Sequence, residues 1–65
     1  MSPVVKDEMR KLWLGFYKDA SQDTIRGQIA YIRDTLSRPI EDRFQQSVLA
    51  YKLEVLQEMV NGLQK

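Results

Sequence analysis

An all-α fold of three helices is predicted by three features of the sequence. Apolar residues recur at intervals of four and three in each third of the chain, the period of one helix face. Ser2, Ser21 and Pro39 stand where that period starts or breaks, and all three are boundary residues for helices. The isoleucines of the middle third, which could suggest a strand, never alternate with a period of two. The architecture expected is a small three-helix bundle, or a helical hairpin with a long C-terminal helix, completed by dimerisation. Residues 1–65 form a single helical domain in this reading, with helices at about 3–18, 22–37 and 39–61.

The first helix opens with Ser2 as N-cap and Pro3 at the first helical position, where a missing N–H costs nothing. Val5, Met9, Leu12 and Phe16 follow at intervals of four, three and four, and Trp13 and Tyr17 widen that face. Asp7 and Lys11 form an i,i+4 ion pair on the other side. Leu14 stands off the face. In the second helix Ser21 is the N-cap and Asp23 suits the dipole of the first turn. Ile25, Ile29, Ile32 and Leu36 form a narrow stripe bordered by Arg26, Arg33 and Gln28, closer to a coiled-coil seam than to a broad core face.

Pro39 pushes Arg38 out of the α region and is itself suited to starting the third helix. That helix carries two stripes: Phe44, Val48, Tyr51, Val55 and Met59, and Leu49, Leu53, Leu56, Val60 and Leu63. Together they span an arc of roughly 200°, with Lys52 and Gln45 between them, and Asn61-Gly62 reads as a C-terminal stop. At 1.5 Å per residue the first two helices are about 24 Å long and the third about 34 Å. The third should overrun its neighbours past Val55. Trp13, Phe16, Ile29, Ile32, Phe44 and Val48 are the expected core.

Composition narrows the function. The chain has 65 residues, 10 Lys plus Arg against 9 Asp plus Glu, and neither Cys nor His. Disulfides, thiolate nucleophiles, zinc fingers and Ser–His chemistry are thereby excluded. Catalytic, cofactor-binding and metal-binding residues are all expected to be none, and so is a small-molecule substrate. Glycines 15, 27 and 62 are scattered singly and build no phosphate loop. Asp7-Glu8 and Glu41-Asp42 are adjacent pairs that diverge by about 100° on a helix, and both read as first-turn acids that suit the dipole. No run approaches a membrane span, and Met1-Ser2-Pro3 does not open a signal peptide, so a cytoplasmic setting without membrane contact is expected.

What remains is binding. A domain this short buries only about 60% of its unfolded surface, which favours association with another chain. The expectation is therefore a non-enzymatic protein–protein interaction module (a regulator, inhibitor or assembly factor) that docks an apolar helical face on a second copy or on another protein. Val55, Leu56, Met59, Val60 and Leu63, on the overhanging end of the third helix, are the expected contact. Glu54 and Glu58 repel one another at i,i+4 near a helix C-terminus, and Lys52 or Lys65 of a second copy would relieve them. Tyr31, a large ring one turn from Gly27 on a solvated face, is the last expected contact. The competing class is a nucleic-acid-binding regulator using Arg26, Arg33, Arg38 and Arg43, with Glu41 and Asp42 repelling phosphate at the third helix's start.

Overall fold

The computed structural model describes residues 2–63, with side chains described for 2–62. Its elements are α1 (Pro3–Tyr17), α2 (Gln22–Leu36) and α3 (Arg43–Leu63). The fold is all-α, with no strand among the described residues.

The two serine caps form as the sequence predicts. Ser2 is extended, and its hydroxyl accepts from the Val5 N–H at 3.3 Å, with Pro3 opening the helix. The Ser21 hydroxyl accepts from the Thr24 N–H at 3.2 Å. Asp23 then occupies the first turn of α2 and Arg33 the last, each matched to the dipole. Asp7 and Lys11 pair at 3.2 Å, but α1 has no acidic residue in its first turn, so Asp7-Glu8 lie beyond the reach expected of them.

The third helix departs from expectation at both ends. It begins at Arg43 rather than at Pro39, because Asp42 supplies a stronger cap than proline can. The Asp42 Oδ1 accepts from Phe44 N–H at 2.9 Å and from Gln45 N–H at 3.2 Å, which satisfies two of the donors that every helix start leaves unpaired. Glu41-Asp42 thus precede the helix instead of sitting in its first turn. At the other end α3 continues through Asn61-Gly62 to Leu63.

α2 and α3 form an antiparallel hairpin. Arg26, Ile29 and Arg33 of α2 share a hollow with Gln57, Val60 and Asn61 of α3. Ile25, Ile29 and Ile32 are buried there with Tyr17, Leu56 and Val60, and Trp13, Ala20, Leu36, Leu49, Leu53 and Met59 pack around them. The turn from Lys18 to Ser21 brings the end of α1 to the start of α2, which lies beside the last third of α3. All three helices therefore meet at the C-terminal end of α3.

This arrangement reverses the expected overhang. At 1.5 Å per residue α3 measures about 32 Å and its neighbours about 22 Å, but the uncovered turns are the N-terminal ones. Phe44 is 63% exposed, whereas Val55 and Leu56 are fully buried and Val60 nearly so. Phe44 is therefore not core. Val48 and Trp13 are half-buried, and Ile29 and Ile32 are buried as expected.

α1 is rotated relative to expectation. Its buried residue is Tyr17, while Val5, Leu12 and Phe16 are 40%, 67% and 76% exposed. The face turned to α3 is the aromatic one. The Trp13 and Tyr51 rings lie 5.8 Å apart and tilted at 54°. The large rings remove more apolar area from water than a leucine edge would, and they find partners across the interface.

Candidate functional site

The outward edge of α1 carries a row of exposed apolar side chains. Val5, Met9, Leu12 and Phe16 recur at four, three and four, so they align along one side of the helix. Met9 is half-buried and the other three stand in water. Leu12 and Phe16 join Trp13, Tyr17 and Lys52 around a shallow hollow of about 300 Å³. Phe16 presents its ring to Tyr17 edge-on, with centroids 4.9 Å apart at 76°.

The inner face of α1 is held by charge and aromatic contacts that fix this edge outward. Arg10 forms an ion pair with Glu58 of α3. Its guanidinium is raised above its ordinary value by the hydrogen bond to Glu58 and by that carboxylate's charge, with a smaller contribution from Tyr51. Both side chains are more than a third exposed, so the pair orients α1 more than it stabilises the fold. Lys6 lies 5.1 Å from the Tyr51 ring centroid and Lys52 lies 5.5 Å from that of Tyr17, both within cation–π range.

The residues expected to form a docking patch are placed differently. Val55, Leu56 and Val60 are core residues of the protomer, and Met59 is half-buried against them. They cannot form an open patch, because α1 and α2 both pack on the end of α3 that carries them. The Leu63 and Lys65 side chains lie outside the described residues. Glu58 finds its cation within the chain, in Arg10, and Lys52 lies over Tyr17, so neither waits for a second copy. Glu54 is exposed and shares a hollow with Lys6, Ser47, Ala50 and Tyr51.

Tyr31 does stand in water, 65% exposed, and its carbonyl accepts from the Thr35 hydroxyl at 2.9 Å. The four arginines lie in three settings. Arg26 and Arg33 line a hollow of about 380 Å³ with Ile29, Gln57, Val60 and Asn61. Arg38 is tied to Asp34 at 3.1 Å, and Arg43 opens α3.

Periodicity alone places Val5 and Leu12 on the packed face of α1. The signal that could have moved them is the second apolar face of α1, with Trp13 and Tyr17 at i,i+4. Gly15 flanks the exposed edge, and a Cβ added there meets no atom within 4 Å. Nothing among the described residues requires that glycine.

Among the described residues no cluster of carboxylates could hold a metal ion, and no helix is long and apolar enough to cross a membrane. Compared with protein-family models, with curated proteins and with solved structures, the chain matches none.

Proposed function

We propose that the chain is a non-enzymatic interaction protein that docks through the outward edge of α1. The observation that carries this reading is the exposure of Val5, Leu12 and Phe16 on one side of a single helix, at 40%, 67% and 76%. Contiguous apolar surface rimmed by polar residues marks contact sites on otherwise water-exposed proteins. Helix pairing through residues spaced at four and three is the mechanism. A cytoplasmic regulator, inhibitor or assembly factor would work this way, and the absence of Cys and His agrees with binding rather than chemistry.

A photo-reactive residue at Phe16 tests the reading in host extract, with the same residue at Lys11, on the opposite side of α1, as control. Discrete adducts at position 16 and none at position 11 are expected. Absence of adducts at both, or equal labelling at both, contradicts the reading.

A second reading, binding of nucleic acid, draws on the hollow that Arg26 and Arg33 share with Gln57 and Asn61. Affinity for nucleic acid that falls steeply with salt and is lost in the Arg26→Ala, Arg33→Ala double variant would favour it.

A further inference from the structure

We infer that the occupant of the α1 edge is a second copy of this chain, with its α1 laid antiparallel along the first; this rests on the interaction reading above. Val5, Met9, Leu12 and Phe16 follow the d-a-d-a succession of a heptad seam. When two such seams meet, direction decides which residues share a layer. A parallel pair stacks Phe16 on Phe16 and Val5 on Val5, leaving one crowded layer and one hollow one. An antiparallel pair, with its two-fold axis between Met9 and Leu12, sets Phe16 against Val5 at both ends and Met9 against Leu12 in the middle. Large then meets small in the outer layers, the arrangement that fills space without strain.

Charge agrees with that direction. Glu8 of one copy faces Gly15 of the other, so no like charges meet along the rim, and the two helix dipoles oppose each other favourably. The glycine that no contact among the described residues requires is thereby given a neighbour.

The seam is only four residues long, which is the scale of a small, reversible interface. A weak two-fold dimer is the form such a surface supports.

Sedimentation equilibrium of the full chain, from low to high micromolar, is the first arm of the test. It should show monomer and dimer in exchange. Leu12→Asp should raise the dissociation constant on the order of a hundred-fold, with the helical signal and the unfolding midpoint of the monomer unchanged. The second arm uses the lack of native cysteine. In the antiparallel pair Glu8 and Gly15 of opposite copies are adjacent, whereas the two copies of Gly15 are about 13 Å apart along the axis, beyond the roughly 7 Å that a disulfide spans. A mixture of Glu8→Cys and Gly15→Cys should therefore oxidise to the mixed dimer, and Gly15→Cys alone should not cross-link.

A single-chain mass at every concentration overturns the proposal, as does a dimer that Leu12→Asp leaves intact. Gly15→Cys cross-linking to itself as readily as to Glu8→Cys overturns the antiparallel direction. If the chain is monomeric but position 16 photo-labels a different polypeptide, the second copy is wrong and the interaction reading stands. If it is monomeric and labels nothing, both are wrong.

Discussion

Helix α2 turns Ile25, Ile29 and Ile32 inward against Leu56 and Val60, whereas α1, with the same spacing of four and three, turns Val5, Leu12 and Phe16 outward. The difference lies in what else each helix carries. α2 has one apolar stripe, and arginines, glutamines and aspartates occupy most of the rest, so only one face can pack. α1 has two apolar faces, and they compete. The Trp13–Tyr17 face prevails because its rings are larger and because Arg10 and Lys6 beside it find Glu58 and Tyr51 across the interface. Periodicity therefore locates a packed face reliably only where a helix has a single one.

Substitutions should separate the two regions, most strongly in the hairpin. Ile32 is fully buried among α2 and α3 side chains, so Ile32→Ala should cost about 2–5 kcal/mol. For a domain this small that is a large share of the total stability, and denaturant titration should find the variant largely unfolded. Trp13 is only half-buried, so Trp13→Ala should cost less, about 2 kcal/mol. That is below the 3–5 kcal/mol that a fully buried Trp would imply. A cost equal to that of Ile32→Ala would show that α1 and the hairpin form one cooperative core.

Smaller effects sharpen the same contrast. Gly27 sits inside α2 with open space around an added Cβ, so Gly27→Ala should stabilise the chain by about 0.5–1 kcal/mol, read as a rise in Tm. A loss of stability there would mean that the face beside Tyr31 is not open. For the Arg10–Glu58 pair, a double-mutant cycle should give only a small coupling that weakens with added salt, since both side chains are solvated. A larger coupling would make the ion pair, rather than the aromatic rings, the main attachment of α1.

Much of this fold can be read from the sequence. Three helices, two serine caps, the break before Pro39 and the inward isoleucines all follow from local chemistry. Local rules do not rank one cap against another, so Asp42 displaced Pro39 as the start of α3. Nor do they say which end of a long helix its neighbours cover. That depended on the turn at Lys18–Ser21, which gathers α1 and α2 at the C-terminal end of α3 and buries Val55 and Leu56. The candidate surface was less legible still. Its residues are visible as a stripe, but their exposure is decided by the rotation of α1, a tertiary choice between two apolar faces.

The central claim is a division of labour: the apolar end of α3 holds the fold, and the apolar edge of α1 is left for a partner. Denaturant unfolding of Leu56→Asp and Leu12→Asp, at a concentration where the parent is monomeric, tests it most directly. Leu56 is fully buried and Leu12 is 67% exposed. A charge at position 56 should therefore abolish the folded state, because an unpaired buried carboxylate replaces core packing. The same charge at position 12 should leave stability within about 0.5 kcal/mol of the parent. A folded Leu56→Asp beside an unfolded Leu12→Asp would contradict the account, placing the core on the α1 edge and the open surface on the end of α3.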